Sequence, residues 1–149
     1  MRPTTIGAFV ARVAVAALCV GAFAGLAQQR FEAAGQDAMQ HSEGQQLFYT
    51  YCASCHGTSG VGNGPAAAAM RRKPPDITGL ALANDGLFPL ERMRRIVDGR
   101  DVEAHGDRDM PVWGDAFRSM HGGRSEEAVR GRIASILEYL ASIQRRNAQ

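Results

Sequence analysis

The sequence predicts an all-α fold, and three observations carry that expectation. From Ser125 to Ile143 the apolar residues Val129, Ile133, Ile136, Leu137, Leu140 and Ile143 recur at helical spacing. Residues 52–56 read Cys-Ala-Ser-Cys-His, and on a helix Cys52, Cys55 and His56 stand at i, i+3 and i+4, on one face. No alternating apolar and polar run of useful strand length appears anywhere in the 149 residues.

Taken in order, Gln28 to Gln40 is polar and without clear periodicity, so 28–41 is expected to be a linker or frayed arm. A first helix is expected to start near Ser42, a good N-cap with Glu43 in the opening turn. Its face carries Gly44, Leu47, Phe48 and Tyr51, and it delivers the Cys52–His56 motif at its end. From Gly57 to Phe88 the chain is rich in Gly and Pro, with one short helical turn expected at Pro65–Met70. Such a long irregular stretch is unusual in a small domain; a wrapping loop packed on a flat cofactor explains it. A further helix is opened by Pro89, carries Leu90, Met93, Ile96 and Val97, and is ended by Gly99. Residues 100–124 are expected to be loop. Ser125 caps the last helix, with Glu126 and Glu127 at its positive end and Arg145 and Arg146 at the other.

The spacing of the motif has a chemical reason. Two thiols one turn apart can add to the two vinyl groups of one porphyrin while the adjacent imidazole ligates its iron, the covalent haem c pattern. A thioredoxin-like redox pair would want a βαβ context, which is absent. Half of a zinc site would want a second Cys/His pair, and no cysteine follows Cys55.

Arg2 and Arg12 precede an uncharged run from Val13 to Ala27, short of the roughly 20 residues that cross a bilayer. Residues 1–27 are therefore expected to be a signal peptide, with small-residue cleavage sites after Ala24 or Ala27. An uncleaved anchor over residues 6–26 is the alternative. Cleavage would remove Cys19 and leave only Cys52 and Cys55, as suits an oxidising compartment. The expected location is the periplasm. Of 17 basic residues, Arg2 and Arg12 lie in the leader, so 17 − 2 = 15 face 15 acidic ones in the rest. That balance, with no matching motif, excludes nucleic acid as a partner. Residues 42–146 make one small domain, whose core a haem would help to fill.

The candidates for a sixth iron ligand are Met70, Met93, Met110, Met120, His105 and His121. Met93 lies on an apolar helical stripe, and Met70 is too close to His56 in sequence to reach round to the other haem face. Met110 sits in a loop restrained by Pro111 and is the leading candidate, with His105 and Met120 as alternatives. His105 as ligand would give bis-histidine iron of lower potential; otherwise it braces the loop near the haem.

These pieces together resemble a bacterial class I c-type cytochrome over roughly Ser42 to Ile143: Cys-Ala-Ser-Cys-His-Gly at 52–57, Gly-Asn-Gly-Pro at 62–65, Pro-Pro-Asp at 74–76, Met-Pro-Val-Trp-Gly at 110–114 and Tyr139-Leu140. The resemblance implies the cytochrome c fold, three to five helices wrapped around one covalent haem c. It implies a crossing of first and last helices at Gly44, Phe48, Ile136 and Tyr139. It gives the Pro65 carbonyl as acceptor for the other nitrogen of His56. Trp113 is expected against the haem edge, or else as a plain core tryptophan. The implied role is not enzymatic: a periplasmic monohaem electron carrier, with His56 and Met110 on the iron and redox proteins as donor and acceptor. It would act as a monomer or as a subunit of a complex. The alternatives are a haem protein with an open distal site, or a cytochrome subunit of an oxidase or dehydrogenase tethered through residues 6–26. The basic groups Arg71, Arg72, Lys73 and Arg92, Arg94, Arg95 would neutralise propionates, steer an acidic partner or be solvated faces.

Overall fold

A helix without a side chain at one position allows the first and last helices of residues 40–145 to meet. The computed structural model describes residues 30, 32, 35–100, 110–120 and 125–145; the leader, His105, His121 and Arg146 lie outside them. The chain divides into two compact units, Met1–Met39 and Gln40–Gln149. In the first, the described residues are helical. The second holds α1 (40–51), α2 (Ala53–His56), α3 (Leu90–Asp98), α4 (Trp113–Ser119) and α5 (Glu126–Ser142), with 3-10 turns at Ala67–Ala69 and Leu82–Asn84. No strand occurs among the described residues. The all-α expectation stands.

Gly44 of α1 lies against α5 so closely that a Cβ there would overlap the backbone carbonyl of Ser135. That approach brings Phe48 onto Tyr139, ring centroids 5.3 Å apart, with both side chains buried. Gln40 Nε2 donates to Glu138 at 2.7 Å and extends the same seam. Burial of side chains such as Phe48, Ile133, Ile136 and Leu137 stabilises the fold by about 1.5–3 kcal/mol each.

The last helix matches its sequence pattern. Ser125 accepts from the Ala128 amide at 3.2 Å, and Val129, Ile133, Ile136, Leu137, Tyr139 and Leu140 are buried. Helix α3 likewise ends at Gly99, in left-handed conformation at φ 74°. Its packed face begins at Met93, and Leu90 stays half exposed. Three expectations need correction. Ser42 is no N-cap, because helical residues precede it from 35 onward; Gln, Ala and Met are good helix formers, and their polarity hid this. The turn expected at Pro65–Met70 is shorter and tighter, with Pro65 lying before its cap residue Ala66. The 100–124 loop contains α4, whose buried Trp113 and Phe117 stand one turn apart.

The irregular stretch is anchored by the end of α5. Gln144 Nε2 donates to the Ile77 carbonyl at 2.9 Å, and its Oε1 accepts from the Ala81 amide at 3.0 Å. The Arg145 amide donates to the Thr78 carbonyl at 2.8 Å. Asp76 accepts from the Thr78 amide and hydroxyl and pairs with Arg145 at 3.1 Å.

Gly44→Ala is expected to destabilise the protein by about 1–3 kcal/mol through overpacking. Gly131→Ala, in α5 with nothing within 4 Å of its would-be Cβ, should stabilise it by about 0.5–1 kcal/mol. Denaturant midpoints of the two variants check both signs.

Candidate haem-binding site

Helix α1 passes into α2 through a turn at Cys52, which precedes α2 at φ −114°. Cys52 N–H donates to the Phe48 carbonyl at 2.8 Å, His56 N–H to the Cys52 carbonyl at 2.9 Å, and Gly57 N–H to the Ala53 carbonyl at 2.9 Å. Cys52, Cys55 and His56 therefore do share a helical face. Gly57, at φ 77°, ends the helix.

The chain then turns back onto the carbonyls that the helix end leaves open. Gly62 N–H donates to His56, Gly64 N–H to Cys55 and Ala66 N–H to Ser54, at 2.8, 3.1 and 2.9 Å. A Cβ on Gly64 would overlap the Ala53 and Ser54 carbonyls. Pro65 is thus held between two residues bonded to the motif, itself exposed.

Cys52 is buried, and its thiol is pushed up to about 12 by burial first and by the neighbouring Cys55 second. It is a neutral thiol. Cys55 is half-buried, both cysteines are free of disulfides, and the Nδ1 atom of His56 is shut off from solvent. The two thiols and the imidazole do not converge on a point. Among the described residues no group of three or more His, Cys, Asp or Glu is placed to hold a bare metal ion.

Of the proposed distal ligands, Met110 is half-buried and packs against the core cluster, as does Met120. Met93 is buried in the core, as its stripe predicts. Met70 is partly exposed, and His105 and His121 are outside the described residues. Trp113 is buried and stacks on Phe117 at 5.5 Å, with Tyr51 at 5.4 Å. Tyr51 directly precedes Cys52, so this aromatic group adjoins the motif. The guanidinium of Arg132 lies over the far ring, 5.7 Å from the Phe117 centroid.

Residues 39–140, more than half of the chain, match the family described as cytochrome c oxidase, cbb3-type, subunit III. The chain belongs to this family of c-type cytochromes. No curated protein and no solved structure shows significant similarity to the cytochrome. Membership makes it a haem-based electron-transfer domain with covalently bound haem c. The residues fit that group: two thiols at i and i+3, an imidazole next to the second, and soft thioethers against the same core. None of the helices formed by described residues is long and apolar enough to cross a membrane.

The sequence reading missed one cluster. Arg100 Nε and Nη2 donate to the two carboxylate oxygens of Asp98 at 2.6 and 2.8 Å. Its Nη1 donates to both oxygens of Glu126 at 3.0 Å, and Glu126 also pairs with Arg118 at 2.6 Å. A Cβ on Gly114 would run into Arg100 Nε and Asp98 Oδ1. The Trp-Gly dipeptide was the available signal, since a glycine in the first turn of a helix hints at a close neighbour.

The Arg100 hydrogen bond holds the Asp98 carboxyl below its ordinary 3.8, against the opposing effect of burial. A lowered folded-state value means this contribution is full above 3.8 and is lost as pH falls through the lower folded value. Asp98→Asn is therefore expected to be less stable than the parent at neutral pH, with the gap narrowing as pH falls below 3.8. Denaturant unfolding at neutral pH and through the acid range measures it.

Proposed function

We propose that the protein is an exported, single-haem c-type cytochrome that carries one electron at a time between redox partner proteins, with His56 and Met110 as the residues that would hold the iron. The observation that carries this reading is the spacing of Cys52, Cys55 and His56 over one helical turn, with Cys52 in the core cluster against which Met110 also packs.

When bound, haem c supplies a one-electron iron couple. Cys52 and Cys55 would hold it through two thioethers. The Pro65 carbonyl would accept from the imidazole of His56 and fix its tautomer; the backbone ties of Gly64 and Ala66 support that assignment. Met110 would contribute a soft thioether, which favours ferrous iron and raises the potential above that of a bis-histidine site. With both residues holding the iron, dioxygen or substrate would find no place on it, which favours electron transfer over ligand chemistry. Trp113 would cover an edge of the group from its place beside Tyr51 and Phe117. Export rests on Arg2, Arg12 and the apolar run that follows, and points to the periplasm.

The family description favours a second setting, in which the chain is a subunit of an oxidase complex, tethered through residues 6–26 if the leader is kept. Intact mass after export and co-purification with membranes separate the two.

The holoprotein should be low-spin in both oxidation states, show a sulfur-to-iron band when oxidised, and leave carbon monoxide unbound when reduced. In Met110→Ala the band should vanish and carbon monoxide should bind. High-spin iron or ready carbon monoxide binding in the parent protein would mean an open distal site and would end the His/Met reading.

A further inference from the structure

We propose that Arg100 is the positioning residue of the arm that carries Met110, acting through its paired hold on Asp98 and Glu126. This rests on the reading of Met110 as an iron ligand. Val112 and Gly114, two and four residues after Met110, lie against the turn at 98–100. A Cβ on Gly99 would sit 3.3 Å from Val112 Cα, and one on Gly114 would collide with the Asp98–Arg100 pair. The C-terminal flank of the Met110 segment is thus laid on that pair as on a template.

The template is stiff for a physical reason. Arg100 presents two edges of its planar fork, one to each oxygen of Asp98 and one to both oxygens of Glu126. Those partners come from the end of α3 and the start of α5, so one guanidinium fixes both ends relative to α4, which begins at Trp113. The Asp98–Arg100 pair is largely shielded, with side chains 13% and 20% exposed. The comparable pair Arg145–Asp76, at 37% and 60% exposure for Asp76 and Arg145, is open to solvent, where such pairs contribute little. Between the template and the sulfur stands Pro111, whose ring fixes φ. A shift at Gly114 therefore moves Met110 rather than being absorbed. A lysine cannot replace the fork, because an ammonium offers no two-edged planar match to two carboxylates.

The test uses the purified holoprotein and added imidazole as a competing ligand. Arg100→Gln, Arg100→Lys and the exposed-pair control Arg145→Gln are compared for the sulfur-to-iron band and for the rate at which imidazole displaces it. The expected result is displacement about ten-fold faster or more in Arg100→Gln, the usual scale for losing an outer support of a metal ligand. Arg100→Lys should be nearly as fast, and Arg145→Gln should match the parent. If either Arg100 variant folds and keeps the parent displacement rate, even with lowered thermal stability, the brace is merely structural and the proposal fails. A parent holoprotein without the band would instead overturn Met110 as ligand.

Discussion

The approach of α1 to α5 at Gly44 is the constraint on which the rest depends. Where two backbones come this close, no side chain fits between them, and packing at the crossing tolerates no added methyl. Everything attached to either helix inherits that position. The Cys52–His56 motif follows α1 directly, through a single turn at Cys52, and Gln144 and Arg145 hold the 77–81 segment from the end of α5. The crossing sets the motif and the closing loop with respect to one another.

The two sides of the site are built by different physics. The histidine side is held by backbone amides: three N–H groups of the glycine-rich loop satisfy three carbonyls at the end of α2. Such bonds are insensitive to side-chain identity except where a Cβ would intrude, as at Gly64. The 110–114 segment, the methionine side of the proposed site, lies against a charged cluster of Asp98, Arg100, Glu126 and Arg118. Salt and acid act on the second side far more than on the first.

Much of this was legible in the sequence. The stripe from Val129 to Leu140, the Ser125 cap and the Gly99 stop are local patterns, and each has a local physical cause. The Gly44 crossing was legible through the resemblance to class I c-type cytochromes, which assigns Gly44, Phe48, Ile136 and Tyr139 to it. Helix α4 was not, because it has seven residues, opens with Trp-Gly and follows a proline; its only periodic signal is the pair Trp113 and Phe117. The true start of the first helix was hidden by polar helix formers. The Arg100 cluster was hidden for another reason: Asp98 and Glu126 meet only in three dimensions, and an ion pair across that separation leaves no spacing to read.

The hydrogen bonds of Gln144 also bear on the order in which the chain can close. They join residues 67 and 63 positions apart, and Gln40 meets Glu138 across 98. Contacts of such long range carry a loop-closure entropy that local helical contacts do not. Synthesis from the N-terminus therefore presents Cys52, Cys55 and His56 well before the last helix exists to lock the loop over them. The Cys52–His56 motif passes through a window in which the chain around it is still open, and the C-terminal helix is what ends it.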